Sequence, residues 1–316
     1  MKSNYKKLLG VIVLLALIAW LGHYSISNYE QFREVSFVNL WLLIVIAIIF
    51  IIGYIPGSII NYYTFLPLGL RLKAMEGYGL AIITGFYNLI TPFRGGMAVR
   101  AIYLKKKYRF TYTNFLATLA ASYVLIFFVA SLLGLLSVGL IYLKTEMINW
   151  FIITLFTGIF LFLSFIILFS PTLPQTRYNW INRFINVING WNIIRKNKQA
   201  IIGITLISIF QILLGALSLY LEFKVFGMDL SISAAIFLAA MGSLSLLISI
   251  TPGGLGISEA IIVFSASTLG ITPIQSLSAA LAGRLVSVIV LFILGPIFSY
   301  LLIKRGVSDD KENSRK

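Results

Sequence analysis

Six long apolar stretches are the feature that most restricts the fold of this chain. They lie at about 8–24, 37–55, 112–143, 150–169, 199–222 and 276–303. Several of them approach or exceed the roughly 20 residues that an α-helix needs to cross the hydrocarbon core of a bilayer. With 59% hydrophobic and 11% charged residues, the chain is too apolar for an ordinary soluble domain. The sequence therefore predicts an all-α polytopic membrane protein with about six full transmembrane helices.

A helix-breaking motif occurs twice inside apolar sequence and sets two further segments apart from the six spans. The copies read ITPFRGG at 90–96 and ITPGGLG at 250–256, and each is followed by an ionisable residue, Arg100 or Glu259. Lipid offers no hydrogen bonds to the backbone groups that proline and glycine set free, so broken helices at membrane depth are retained where they line a polar cavity. Paired broken segments of this kind indicate a transporter-type site.

The distribution of Lys and Arg predicts how the chain is threaded. With the N-terminus in the cytoplasm, the outside loops hold only Arg33, Lys144 and Lys224, and the inside segments carry most of the other basic residues, as the positive-inside rule requires. The basic residues remain mostly on the cytoplasmic side only if the segments 78–104 and 231–270 re-enter the membrane from one face instead of crossing it. We therefore expect two oppositely oriented re-entrant helical hairpins, both termini in the cytoplasm, and a location in the cytoplasmic membrane.

The two hairpins divide the membrane part into two equivalent halves. Each half reads span, hairpin, span, over about 37–143 and 199–303, and hairpins that enter from opposite faces make the halves an inverted repeat. We expect one integral membrane domain over 1–305 and a disordered charged tail over 306–316. Between the halves, 177–198 has apolar residues at helical spacing, which predicts an amphipathic helix in the cytoplasmic interface or, alternatively, a linker helix packed on the bundle.

The first break carries two arginines that suit a phosphate group. Arg94 and Arg100 flank Gly95 and Gly96, and a guanidinium binds phosphate through two parallel hydrogen bonds and stays charged when water is removed. We predict that both arginines bind substrate. The alternative for Arg100 is that it joins the basic run at 105–107 and extends toward the cytoplasmic interface.

The second break is richer in glycine and precedes an acidic residue. The substrate-binding residues predicted here are Pro252, Gly253, Gly254, Gly256 and Glu259. The loop is expected to offer backbone amides as an anion-binding nest, and Ser258 to cap the helix that follows. Glu259 either faces a polar cavity or serves the first turn of that helix, where a negative charge is favoured.

One further arginine lies within a span. Arg284 follows small residues in the last apolar stretch, and a buried arginine requires a partner, for which Glu259 is the nearest candidate in the predicted topology. We include Arg284 among the substrate-binding residues, with a purely structural pair as the alternative. Glu222 ends its span beside Lys224 and is expected at the interface.

The remaining composition argues against several kinds of chemistry. The net charge of +15 comes mainly from short connecting segments, which favours membrane orientation over nucleic-acid binding. With no cysteine and one histidine, disulfides, thiolate sites and multi-histidine metal sites are not expected. The sequence contains no nucleotide-binding glycine loop and no recognisable catalytic triad. We predict no catalytic residues, no metal and no cofactor, and the pattern does not indicate an oligomeric state.

At these motifs the chain resembles the flippase-like family defined by the membrane region of bacterial lysylphosphatidylglycerol synthases, the multiple peptide resistance factors. The first family pattern, Pro-x-Arg-x-Gly-Glu-x-x-Arg, is matched except that Met97 stands where the acidic residue is usual. The second, Pro-Gly-Gly-x-Gly-x-x-Glu, is matched in full, and Arg284 matches the arginine of the following span. The resemblance covers nearly the whole chain, to about Lys304, and implies the membrane region without the soluble synthase domain.

The resemblance implies a lipid translocator that moves a charged-headgroup phospholipid, anionic or aminoacylated, across the cytoplasmic membrane. In the synthases this region is implicated in moving lysylphosphatidylglycerol, and a separate soluble domain performs the aminoacyl transfer. Two alternatives stay open. One is a lipid-modifying membrane enzyme or a membrane component of an aminoacyl-phosphatidylglycerol system, with a separate soluble transferase as partner. The other is a non-catalytic membrane scaffold.

Overall fold

The structure is a computed structural model that describes residues 37–145, 149–248 and 250–313. These residues contain ten α-helices, joined by loops and short 3-10 turns, and no strand. The helices are α1 Leu42–Phe65, α2 Ala74–Ile90, α3 Gly95–Tyr108, α4 Tyr112–Thr145, α5 Trp150–Phe169, α6 Asn179–Lys196, α7 Lys198–Val225, α8 Ile232–Leu244, α9 Ile257–Ser267 and α10 Pro273–Asn313. The predicted all-α class is therefore confirmed.

Five of these helices, α1, α4, α5, α7 and α10, are long and apolar enough to cross a membrane. They correspond to five of the six predicted spans, and the sixth, 8–24, lies outside the described residues. The span predicted over 37–55 ends before Pro56, whereas α1 continues through this proline to Phe65. Proline is tolerated inside membrane helices because neighbouring groups satisfy the backbone carbonyl that it leaves without a donor.

Polar side chains fix the starts of three helices. Asn149 accepts a hydrogen bond from the amide of Ile152 at 3.2 Å at the start of α5. Asn197 accepts from Ala200 at 2.9 Å at the start of α7. At the start of α8 the cap is Ser231, which accepts from the third amide of the helix at 3.2 Å. Each cap satisfies an amide that the helix itself leaves unpaired.

The C-terminal helix is longer than predicted. α10 runs to Asn313 and so includes most of the segment 306–316 for which the sequence predicted disorder. Lysine and glutamate are good helix formers, and this segment directly continues an established helix, which needs no new nucleation step. Disorder of the tail stays a prediction.

Each broken segment folds back on itself. In the first, Glu76 at the start of α2 accepts hydrogen bonds from the hydroxyls of Tyr103 and Tyr108 near the end of α3, at 2.7 and 2.6 Å. The ends of α2 and α3 therefore lie side by side, and the break lies at the far end. In the second, α8 packs against α9, with Ala234 and Ala266 in one apolar cluster.

The helix contacts repeat between the two halves of the chain. α2 packs on α10, the last helix of the second half, and α8 packs on α4, the last helix of the first half. α1 packs on α10 and α7 packs on α4 in the same way, while α1 and α7 pack against each other. Each half thus covers the hairpin of the other.

The connecting helix α6 packs on the bundle. It contacts α4, and Ile185, Trp191 and Ile194 are buried. Arg195 donates to the carbonyls of the last turn of α5, at 2.9 Å to Ile167. The helix therefore packs on the bundle, and its place in the cytoplasmic interface stays a prediction.

Candidate functional site

The two breaks contact each other directly. The amide of Phe93 in the first break donates to the carbonyl of Ile250 at the start of the second, at 3.0 Å. Leu89, in the last turn of α2, packs against Gly253. A motif that is repeated 160 positions apart in sequence is therefore brought together at one place between the two hairpins.

The first break uses an unfavourable backbone conformation. Phe93 and Arg94 both adopt the left-handed region, with φ of 54° and 56°, which is uncommon for residues other than glycine. The glycines that follow are needed for close packing instead. Gly96 lies against α2 so closely that an added Cβ would overlap the carbonyl oxygen of Thr84 and the backbone of Asn88. The hydrogen bond from Phe93 to the second break helps to hold this conformation.

The second break is built on glycines in the left-handed region. Gly253, Gly254 and Gly256 have φ of 60°, 69° and 78°. The amide of Gly254 donates to Thr251 and that of Leu255 to Pro252, at 3.0 and 3.1 Å, while Gly256 donates to Glu259. These three amides are satisfied within the loop, so the prediction that they form an anion-binding nest is wrong.

Glu259 and Arg284 form the predicted pair. Arg284 Nε donates to Glu259 Oε1 at 2.6 Å, and its Nη1 donates to the carbonyl of Gly253 at 2.8 Å. The other carboxylate oxygen, Oε2, accepts from the amide of Gly256 at 2.7 Å. Gly256, and not Ser258 as predicted, is the residue that caps α9. Both oxygens of Glu259 therefore hold the second break in place.

A cavity with a volume of about 630 Å³ lies near the breaks, between α1, α2, α3, α4 and α7. Arg94 and Arg100 both line it. Cavities of this size are typical of small-molecule sites. The sequence predicted a polar cavity at the breaks, and the structure places two of the predicted residues on its wall.

Arg100 is buried in this wall, with 6% of its surface exposed. Its Nη1 donates to Asn61 Oδ1 at 3.0 Å, and its Nη2 lies 3.4 Å from the sulfur of Met97. The guanidinium stacks on the ring of Phe115, 5.2 Å from the ring centre. The alternative in which Arg100 extends to the interface is therefore wrong. Its Nε is buried and has no hydrogen-bond partner in the described part of the chain.

Arg94 lies at the contact between the two hairpins. Its Nη1 donates to the hydroxyl of Tyr123 on α4 at 2.5 Å and lies 3.5 Å from the carbonyl of Leu246. The left-handed backbone at this residue turns its side chain toward α4, on the cavity side. Arg94 lines both the larger cavity and a second one of about 250 Å³.

The smaller cavity adjoins the second break. Its lining includes Gly253, Gly254 and Arg284 from the second half, and Asn88 and Arg94 from the first. Because Asn88 and Arg94 also line the larger cavity, the two spaces share a wall at the meeting point of the breaks. Of the predicted residues, Arg94, Gly253, Gly254 and Arg284 line the smaller cavity and Arg100 lines the larger one, whereas Pro252, Gly256 and Glu259 line neither.

Glu222 is a cavity residue that the sequence did not indicate. It was predicted at the interface, but it is buried, with 5% exposed surface, and lines the larger cavity. Ser218 Oγ donates to its Oε1 at 2.8 Å, and its carboxylate lies against Gly283 of α10. The prediction is wrong because α7 continues to Val225, which places Glu222 inside the bundle. The available signal was its helical spacing from polar Ser218 and Gln211.

Among the residues that the structure describes, three buried polar atoms in the larger cavity find no hydrogen-bond partner: Asn88 Oδ1, Arg100 Nε and Gln211 Oε1. Buried polar atoms in folded proteins are nearly always paired, so a cluster of unpaired ones around a cavity points to a ligand or to water. The cluster contains both a donor and acceptors.

Residues 7–295 match the family described as lysylphosphatidylglycerol synthase TM region. The chain belongs to this family. The resemblance noted at the two motifs is thereby confirmed, and a search of curated proteins gave no match. In this family member the residue at the position of the usual acid, Met97, contacts Arg100 through its sulfur. The family is one of membrane components of lipid modification or transport, and with five apolar helices of spanning length the chain is a multi-pass membrane protein.

Proposed function

We propose that this protein is a lipid translocator, in which a charged headgroup crosses through the larger cavity while the acyl chains stay in the bilayer. The observation that carries the proposal is the pair of arginines on the cavity wall, Arg94 and Arg100. A buried guanidinium without a carboxylate partner is costly unless a ligand compensates its charge. A lipid phosphate supplies that charge and matches the fork of donors on arginine.

The proposed threading is the one that positive charges predicted: six spans, of which 8–24 is the first, and two re-entrant hairpins that enter from opposite faces. Two observations support it. Each broken segment folds back so that its two ends lie together, and the helix contacts of the first half recur in the second. Both termini would then be cytoplasmic and the protein would lie in the cytoplasmic membrane.

The proposal divides the predicted site residues by role. Arg94 and Arg100 bind the phosphate. Arg284 faces the smaller cavity and assists at the meeting point of the breaks, while Glu259 orients it. Gly253 and Gly254 line the smaller cavity and leave room for the headgroup there, because glycine has no side chain to obstruct it. Pro252 and Gly256 shape the same loop.

Reconstitution tests the proposal. Purified protein in vesicles that contain phosphatidylglycerol with a fluorescent acyl chain is expected to accelerate its movement between leaflets at least tenfold over protein-free vesicles. Arg100→Gln is expected to remove most of this acceleration, whereas Arg71→Gln, a change at an exposed arginine on the loop before α2, is the matched control and keeps it. A wild-type protein that accelerates no phospholipid would contradict the proposal.

A second candidate function is suggested by the family description, which names a synthase. The chain would then be the membrane component of an aminoacyl-lipid system that acts with a separate soluble transferase. Incubation of the purified protein with phosphatidylglycerol and aminoacyl-tRNA, with and without such a transferase, tests this. Aminoacyl lipid formed only with the transferase supports a membrane component, and no change in product with this protein present argues against it.

A further inference from the structure

Two buried carboxylates have the same arginine as a neighbour. Glu259 and Glu222 are 3% and 5% exposed. Arg284 donates to Glu259 and to the carbonyl of Gly253, and the adjacent Gly283 lies against the carboxyl group of Glu222. The charge of Arg284 therefore acts on Glu222 as well, although in the described part of the chain its ion pair is with Glu259. Together the three side chains carry one negative charge more than positive when both carboxylates are ionised.

The two carboxylates differ in their hydrogen bonds. Glu259 accepts from the guanidinium of Arg284 and from the amide of Gly256, one on each oxygen. Glu222 accepts from the neutral hydroxyl of Ser218, at 2.8 Å. A buried carboxylate that accepts few hydrogen bonds takes up a proton more readily than one that is paired on both oxygens. Of the two, Glu222 is therefore the one whose protonation can change.

Glu222 shares the larger cavity with the two arginines of the first break. While no anion is bound, an ionised Glu222 offsets part of the positive charge of Arg94 and Arg100. An anion bound to these arginines repels the ionised carboxylate in the same cavity. For unit charges about 10 Å apart at an effective dielectric constant of about 20, this repulsion weakens binding roughly tenfold. A proton on Glu222 removes the repulsion.

The other ionisable groups around Glu222 keep their charge near neutral pH. Those that face it from neighbouring elements are arginines and tyrosines: Arg284 of α10, Arg94 and Arg100 of the first break, Tyr54 of α1 and Tyr123 of α4. Helix α8 has no ionisable side chain, and α6, near the opposite end of α7, has only arginine and lysine. On the Glu222 side of α7, Lys224 pairs with Asp229. Tyrosine, lysine and arginine ordinarily titrate at about pH 10 or above.

We propose that Glu222 is a proton-binding site, which takes up a proton when an anionic headgroup binds to Arg94 and Arg100. The inference rests on the proposed function, since the anion is the lipid phosphate. Because coupling between two binding sites is reciprocal, protonation strengthens anion binding by the same factor as the anion strengthens proton binding. A proton then enters the cavity with each lipid headgroup, so a difference in pH across the membrane biases the direction of lipid movement.

The test measures binding of glycerophosphoglycerol, a water-soluble phosphodiester whose single negative charge does not change between about pH 6 and pH 9. Titration calorimetry of the detergent-solubilised full chain is expected to show affinity about tenfold weaker at the higher pH. Repeating it in buffers of different ionisation enthalpy is expected to show proton uptake on binding. Glu222→Gln imitates the protonated carboxyl group, so it should bind at every pH as the wild type does at about pH 6, without proton uptake. Asp229→Asn, the same change at an 88% exposed acid, is the matched control and keeps both effects.

Three results would overturn the inference: wild-type affinity that is independent of pH, no binding of the phosphodiester at any pH, or a pH dependence that persists in Glu222→Gln. If Glu222→Gln does not fold, infrared difference spectra of the wild type decide instead. Binding at about pH 8 must then produce the carbonyl band of a newly protonated carboxylic acid, and absence of this band overturns the inference.

Failure of the proposed function gives a different result. The wild type in vesicles then moves no phospholipid, whereas proton uptake with the soluble headgroup needs no movement across a bilayer and still supports the proton site. Lipid movement by a wild type that binds the headgroup without proton uptake would leave the proposed function standing and overturn the inference alone.

Discussion

The two copies of the Thr-Pro motif lie at the same place in the fold but differ in backbone conformation and in the pairing of their charged residues. In the first, the left-handed residues are Phe93 and Arg94, and both arginines face a cavity. In the second, the left-handed residues are glycines, and Glu259 and Arg284 neutralise each other. The first break therefore leaves charge available to a ligand, whereas the second uses its charges to fix its own backbone. Similar sequence motifs thus do not imply similar roles for their ionisable residues.

The largest expected effect is a difference in stability between changes at a paired charge, Glu259, and at a charge without a carboxylate partner, Arg100. Glu259→Gln leaves Arg284, whose side chain is 19% exposed, without its counter-charge, which is expected to reduce the free energy of unfolding by about 3 kcal/mol. Arg100→Gln leaves no carboxylate without a partner and is expected to change the free energy of unfolding by less than about 1 kcal/mol. Unfolding in detergent, followed by tryptophan fluorescence, measures both. Equal destabilisation by the two changes would remove the distinction between the breaks.

The next effect tests what glycine does in the first break. Gly96→Ala places a Cβ against backbone atoms of Thr84 and Asn88, which cannot move away as a side chain can, so a loss of about 3 kcal/mol is expected. Gly139→Ala is the matched control, because an added Cβ on that helical glycine has no neighbour within 4 Å. Its effect is expected to be within about 1 kcal/mol and stabilising. Equal thermal stability of the two variants would contradict this account.

Met97→Glu would make the first break resemble the second. The sulfur of Met97 lies 3.4 Å from Arg100 Nη2, so a carboxylate there can pair with the guanidinium and compete with a lipid phosphate. The expected result is a roughly tenfold slower movement of phosphatidylglycerol, equivalent to about 1.4 kcal/mol of binding. Met97→Gln, which has similar shape and no charge, is expected to change the rate much less. If both variants transport equally, charge at position 97 does not act on the site.

The smallest effect concerns the backbone itself. Phe93→Gly relieves the backbone strain of a non-glycine residue in the left-handed region, but glycine also increases the conformational entropy of the unfolded chain. The two effects oppose each other, so the free energy of unfolding is expected to change by less than about 1 kcal/mol. Gly253→Ala introduces the corresponding conflict into the second break, at φ of 60° and against Leu89, and should cost about 1–2 kcal/mol. Unfolding midpoints of the two variants give the comparison. A large loss with Phe93→Gly would show that the aromatic side chain, not the break geometry, is what matters there.

Features that depend on local chemistry or on charge balance were predictable from the sequence. Apolar length gave the five described spans, and the cost of an unpaired buried arginine gave the partnership of Glu259 and Arg284. The positions of both breaks followed from proline and glycine. These conclusions need only the local sequence and the physical properties of the bilayer.

Features that depend on how the helices pack were not predictable. Burial of Glu222 follows from one additional helical turn in α7 and from a facing glycine on α10. The left-handed Phe93 is held by a hydrogen bond to Ile250, which is distant in sequence. The amides of the second break were expected to bind an anion, yet the loop satisfies three of them itself, because its turns are tight enough for short-range hydrogen bonds.

The most direct test of the central claim is whether a lipid headgroup occupies the larger cavity. The chain has no cysteine, so Ser122→Cys, in the cavity wall, provides a single labelling site, and Ser267→Cys at the exposed end of α9 provides the control. In nanodiscs, raising the fraction of phosphatidylglycerol over neutral lipid should slow maleimide labelling at position 122 and not at 267. The protection should disappear when Arg94→Gln and Arg100→Gln are added. Labelling at position 122 that is independent of lipid charge would contradict the claim.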